Sequence, residues 1–235
     1  MDALPATDKE QRLFFRKNGW IAFEGAISPE RVSCMVAVLL AAVRQQLSQT
    51  VDRAPPNALF KAGRDLWRHS DDVKKLAGNF GWAQIAAQLL EERTLRLIGD
   101  QLWLWRPGHW QSEQIPFLEH NLPWISLNQI TSCDGILAGC FFNLEGPRDQ
   151  LIEDKLPLCP FEAPGSVVFV KADLPLELSF FTGLSRMSYC VLIGSRTASY
   201  RPAPYDPNPL HFKKLGYRPG EALNERLHPL LWTAN

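Results

Sequence analysis

The chain has 235 residues, with 25 Lys and Arg against 25 Asp and Glu, and so carries no formal net charge. That balance argues against a dominant nucleic-acid or anionic-membrane footprint, since either would need an excess of basic side chains. A hydrophobic fraction of 46% suits one full-sized core, and five His and five Cys are the entire supply of imidazole and thiol groups for metal or nucleophile chemistry.

No apolar run reaches the roughly 20 residues that span a bilayer. The opening MDALPATDKEQR is polar and acidic, unlike a secretory signal, so a soluble cytoplasmic protein is expected. Cys34, Cys133, Cys140, Cys159 and Cys190 contain no CxxC pair. They read as reduced, mostly buried thiols rather than a disulfide framework or a zinc site.

Thr7-Asp8-Lys9-Glu10 has the pattern of a capping box that opens a helix, and Gly19 supplies a stop. Trp20-Ile21-Ala22-Phe23 reads as a short strand. Ser28 followed by Pro29 is an N-cap with proline in the first turn. Val32, Met35, Val36, Leu39, Leu40, Val43 and Leu47 then recur at helical spacing and form one apolar stripe. Pro55-Pro56 breaks this pattern and predicts a loop between Gln49 and Phe60. Ser70 caps a short helix to Ala77, and Trp82 to Leu90 predicts another.

Beyond Arg93 the segments become short and rich in β-branched and aromatic residues. Strands are predicted over Leu95–Ile98, Leu102–Trp105, Trp124–Ile130, Ile136–Leu144, Ser166–Val170 and Met187–Ile193. Cys133-Asp134-Gly135 reads as a hairpin turn. The proline-rich tail after Tyr200 predicts an ordered strap. The expected organisation is a single α+β domain: a helical part over about residues 1–92, a β body over about 93–195 and a strap over about 196–235, with a sandwich, jelly roll or closed barrel as its sheet architecture.

The chain has no GxSxG, GxGxxG, Walker loop or HExxH, so acyl transfer, dinucleotide binding, P-loop chemistry and zincin proteolysis lose their strongest support. The order of elements is more informative. FFRKNGWIAFEGAISPERV, then DLWRHSDDVKKLAGNFGWAQIAAQLL, a β-rich body and the ending LGYRPGEALNERLHPLLW together resemble the phytanoyl-CoA dioxygenase-like proteins. These are non-haem Fe(II) and 2-oxoglutarate oxygenases, and the resemblance implies a double-stranded β-helix, a jelly-roll or cupin-like barrel, buttressed by N-terminal helices.

The resemblance also implies a triad of two His and one carboxylate, which suits Fe(II), with an Arg that pairs with the distal carboxylate of 2-oxoglutarate. His120 lies near the first position but reads His120-Asn121-Leu122, without the carboxylate. Asp173 to Ser179 contains no histidine, and Glu177 is its nearest metal-binding residue. Arg186 matches the cosubstrate arginine. These departures imply a degenerate member with no catalytic residue and no cofactor, one that keeps the barrel as a scaffold for a small anionic ligand or a protein partner. The alternative is an active oxygenase with Fe(II) on His120 and Glu177 and 2-oxoglutarate on Arg186.

Each candidate also has a plainer reading. His120 can be a solvated strand-start histidine, and Arg186 can pair internally with Glu145 or Glu177. In His69-Ser70-Asp71 the N-cap role outweighs a metal site. His109 lies in a loop that could line a pocket, His211 is expected to be exposed, and His228 belongs to terminal packing. Trp103 and Trp105 fall on one face of a strand, as core or as a ligand wall. Asn128 alternates with Leu127 and Gln129 across a strand and could line a cavity. Cys133 is a conceivable reactive thiol.

Overall fold

The structure, a computed structural model, describes residues 6–47, 50–105, 124–146, 160, 163–177 and 186–234. His109, His120 and Cys159 lie outside the described residues. The architecture is α+β: helices cover one face of a six-stranded antiparallel sheet.

Helix α1 spans Lys9–Asn18 and is capped by Asp8, with the reciprocal Gln11 side chain completing a capping box. The box therefore sits one residue later than the sequence pattern predicts. The Thr7 hydroxyl is instead drawn to Gln88 Oε1 at 2.9 Å, a partner 81 residues along the chain that no local pattern could reveal. Gly19 ends the helix at φ 78°, a left-handed conformation that glycine adopts without steric cost. Strand β1 (Trp20–Phe23) follows, and then α2 (Pro29–Gln46), whose N-cap Ser28 accepts from Arg31 N.

The predicted loop before Phe60 is largely helical. Val51–Arg53 forms a 3-10 turn and Pro56–Ala62 forms α3, with Pro56 in its first turn. Proline lacks an amide that the first turn would leave unbonded anyway, so the second proline starts a helix as well as interrupting one. Ser70 caps α4 (Asp71–Ala77), and α5 spans Phe80–Leu90.

Strands β2 (Thr94–Trp105), β3 (Cys133–Glu145), β4 (Val167–Lys171), β5 (Arg186–Tyr200) and β6 (Leu230–Thr233) join β1 in the order β1-β4-β3-β5-β2-β6. Leu95–Ile98 and Leu102–Trp105 are thus one strand, whose ladder to β5 slips between Leu97 and Gly99. Asp134-Gly135 does not turn a hairpin. Gly135 takes φ 81° within β3, where the register with β5 shifts between Asp134 and Ile136, so the positive φ serves a bulge.

Alternation along the strands separates two packed layers. Leu95, Leu97, Phe142, Leu144, Phe169, Met187, Tyr189 and Val191 pack with Met35, Leu39, Val43 and Ile85 on the helix side. The inner face carries Ile98, Trp103, Phe141, Val168, Val170, Cys190 and Leu192. Ile125, Leu127 and Leu176, with Phe212, Tyr217 and Leu223 of the C-terminal strap, close over that inner face. Burial of a large apolar side chain stabilises by about 1.5 to 3 kcal/mol, and these two layers supply that term on both sides of the sheet.

Candidate functional site

Arg186 is the first residue of β5, opposite Trp105 of β2, and is 2% exposed. Ser188, two residues on and on the same face, pairs with Trp103 on one side and Asn143 on the other. Ser166 continues the row, since its hydroxyl accepts from Asn143 Nδ2 at 3.2 Å. Trp103, Ser188, Asn143 and Ser166 are each buried to 2% exposure or less. One end of the inner face therefore carries a row of buried hydrogen-bonding side chains beside a buried guanidinium.

The row is built by backbone order. Asn143 N donates to Ser166 O and Gly165 N donates to Asn143 O, at 3.0 and 2.8 Å. Asn143 Nδ2 also reaches Pro160 O, and the Ser188 hydroxyl donates to Phe142 O at 3.3 Å. Trp103 packs edge-on against Phe60 with ring centroids 5.4 Å apart. Glu177 is half-buried and directly follows Leu176, whose amide and carbonyl pair with Ile125.

The histidines occupy different places. His69 lies at the N-terminus of α4, where Ser70 acts as the cap. His211 and His228 belong to a second buried polar network near Ile98. Ile98 lies seven residues along β2 from Trp105, so at the usual strand rise of ~3.3 Å per residue the two ends are roughly 23 Å apart. Of the chain's five histidines, only His109 and His120 remain for the Arg186 end. Among the described residues no three His, Cys, Asp or Glu side chains converge as a metal site. The described residues therefore do not supply the donor set that Fe(II) needs.

The second network centres on Asp65, 3% exposed and held at φ 51°. Its carboxylate accepts from Asp100 N, contacts His211 Nε2 and lies 3.6 Å from Arg68 Nε. Burial acts to raise its pKa, but His211, Arg64 and Arg68 outweigh burial and hold Asp65 well below the usual carboxylate range. His211 was expected to be exposed; its side chain is only 14% exposed because Asp65 engages it.

Asp100, on the helix-facing side of β2, accepts from Tyr189 Oη at 2.5 Å and from Trp67 N at 3.1 Å. Burial first, and then the charge of Asp65, push its pKa up to about 8. His228 is fully buried, stacks on Phe212 and donates from Nδ1 to Ile98 O at 2.9 Å. Burial, with the Arg68 charge beside it, lowers its pKa to about 4. A neutral ring with its proton on Nδ1 leaves Nε2 to accept from Arg68 Nη2 at 3.3 Å. Asp65, Asp100 and the two histidines thus tie the strap to β2, a structural use that sequence patterns do not signal.

Asn128 does not alternate across a strand. Leu127–Ile130 is a helical turn, and Ser126 and Gln129 form its capping box. Asn128 lines an open cavity with Trp124, Ser126, Gln129, Asp173 and Pro175, and Arg186 is not part of that lining. Cys133 is buried, and burial pushes its thiol up to about 12, so it stays protonated and unreactive near neutral pH.

No protein-family model matches the chain. No curated protein matches it in sequence either. Solved structures do match it in shape. The non-heme alpha ketoglutarate dependent carbocyclase SnoK from nogalamycin biosynthesis superposes with a TM-score of 0.67 at 14% identity, over 95% of this chain and 96% of that one. The non-heme alpha ketoglutarate dependent epimerase SnoN from the same biosynthesis gives 0.60 at 17% identity, over 95% and 97%. EctD from S. alaskensis in its apoform gives 0.56 at 14% identity, over 85% and 81%. At these identities the likeness establishes the fold alone, a double-stranded β-helix.

Proposed function

We propose that this chain is a phytanoyl-CoA dioxygenase-like protein that has given up oxygenase chemistry and keeps the barrel to bind a small anion or a protein partner. The observation that carries this reading is Arg186, a guanidinium 2% exposed at the end of the inner face, with Ser188 and Asn143 beside it. A guanidinium is desolvated only where acceptors face it, and its planar fork can bind a ligand carboxylate in two places. The Ser188 hydroxyl and the Asn143 amide hold that face in place, their donors spent on Phe142 O, Pro160 O and Ser166 Oγ.

The iron-free part of the reading is supported by the donor chemistry. His120-Asn121-Leu122 lacks the carboxylate, and no histidine occurs between His120 and His211. The binding role needs no net charge on the protein as a whole, and nucleic acid is not the expected partner of a chain with balanced charge. Among the described residues four cysteines are free and three of these are buried, which suits a reducing, cytoplasmic setting.

The test pairs binding with turnover. Calorimetry in metal-free buffer should show 2-oxoglutarate or succinate binding to the wild type, and Arg186→Lys, which keeps the charge but loses the fork, should weaken it by about tenfold, the worth of one charge-assisted hydrogen bond. Anaerobic addition of Fe(II) and 2-oxoglutarate should give no metal-to-ligand charge-transfer band, and aerobic incubation should form no succinate. Such a band, with succinate formation abolished by His120→Ala and Glu177→Ala, would overturn the proposal in favour of an active oxygenase that uses those two ligands.

A further inference from the structure

We infer that the open cavity beside the Leu127–Ile130 turn is a binding site for a neutral polyhydroxylated ligand, a pyranose sugar or a glycoside. The cavity has a volume of about 520 Å³ and is lined by Trp124, Ser126, Asn128, Gln129, Asp173 and Pro175. It is separate from the Arg186 site and does not depend on the reading of that site.

Three side chains in the lining are unspent. The Trp124 indole is 57% exposed, although tryptophan is among the side chains that gain most from burial. Asn128 is half-buried and Asp173 exposed, and neither side chain has a hydrogen bond or ion pair among the described residues. Gln129 Oε1 is committed to Ser126 N at 2.8 Å, which leaves its amide nitrogen as a donor. One aromatic face, one carboxylate and two amides therefore border a single concavity.

The frame that holds them is backbone-bonded. Ile125 and Leu176 exchange N–H···O bonds at 3.2 and 3.0 Å, and Asn128 N donates to Ala172 O at 3.1 Å. Ile125, Leu127 and Leu176 pack into the inner apolar layer, which anchors both segments from below. Trp124 and Asn128 stay at the surface beside Asp173 and Pro175.

Chemistry selects the ligand class. Among the described residues the lining holds a carboxylate and no Lys, Arg or His, which disfavours an anion. A single indole with Pro175 offers too little apolar area for a purely hydrophobic ligand of that volume. A pyranose has an apolar C–H face that stacks on indole and equatorial hydroxyls that donate to a carboxylate and exchange hydrogen bonds with amides. Asp173, Asn128 and Gln129 supply those partners.

Saturation-transfer difference NMR on the full chain, with methyl β-D-glucopyranoside, methyl α-D-galactopyranoside, cellotriose and maltotriose as probes, tests the site. At least one probe should receive saturation on its ring-face protons and shift one indole N–H resonance, the one lost in Trp124→Ala. Asp173→Asn and Asn128→Ala should weaken binding by about tenfold or more, the worth of a hydrogen bond to a charged or well-ordered partner. Arg186→Lys should leave it unchanged. Thermal midpoints near the wild-type value establish that these exposed-site variants are folded. No saturation from any of the four sugars, saturation that persists in folded Trp124→Ala, or binding of choline in place of the sugars would each overturn the inference.

Discussion

Replacing Asp100 with Asn should remove a large loss of stability that accumulates as pH rises from about 4 to 8. Asp100 is 1% exposed, accepts from Tyr189 Oη and Trp67 N, and has a pKa raised to about 8, by burial first and then by the Asp65 charge. An unfolded aspartate titrates near 4, so between about pH 4 and pH 8 the folded protein holds a proton that the unfolded chain has released. Stability then falls as pH rises, by ~1.4 kcal/mol per unit at full slope, and the loss accumulates to the order of 5 kcal/mol across that window. Asparagine has nearly the same shape, and its Oδ1 can accept from Tyr189 and Trp67, but it carries no proton to lose.

Urea unfolding at intervals from pH 5 to 9 should therefore show a wild-type midpoint that falls up to about pH 8 and then levels, and an Asp100→Asn midpoint that falls much less over the same range. Near pH 8.5 the variant should be the more stable of the two by about 2 kcal/mol or more. Thiol ionisation in the unfolded state also lowers stability above pH 8, but it is common to both proteins and cancels in their difference. Parallel midpoint curves for the two proteins would refute the assignment of a retained proton to Asp100.

A methyl group at Gly99 would lie 2.7 Å from Asp65 Oδ1. Asp65 is held at φ 51° by the strap and by Asp100, so Gly99→Ala should cost about 1 to 3 kcal/mol, as overpacking does; an unchanged urea midpoint would contradict it. His228 should titrate near pH 4 in the folded protein, read from its imidazole C–H shifts. Its folded pKa lies below the unfolded value of about 6.5, so the unfolded chain binds more protons and stability is lost as pH falls from about 6.5 towards 4. A titration midpoint at 6 or above would show that the ring is not desolvated.

How much could be read ahead of the fold depended on how local the controlling physics was. Ser28-Pro29 and Ser70 mark helix starts because a cap bonds an amide three residues away, and the α2 stripe is visible because its period is the helix's own. Asp8 displaced Thr7 because Thr7 was claimed by Gln88, 81 residues along the chain. The turn at Leu127 was hidden inside an apolar run that also fits a strand; the Ser126 and Gln129 box was its only local mark. The polar run Gly99-Asp100-Gln101 looked like a break in β2 because its partners, Asp65, Tyr189 and Phe60, lie tens of residues away.

Arg186 was legible as a candidate because its place before an apolar strand is a sequence property. Its burial, and the row from Trp103 to Ser166, depend on the register of four strands. Asn128 sits on a helical turn rather than on a strand, and the cavity it borders is set by the neighbours of that turn.

By itself the sequence determined the fold class, the helix starts, the missing carboxylate after His120 and the arginine at the head of β5. Tertiary structure alone decided which polar groups are buried, and so which of them titrate far from their usual range. Capping and periodicity act over three or four residues. Desolvation and strand register are set by parts of the chain as distant as His228 and Ile98, separated by 130 positions.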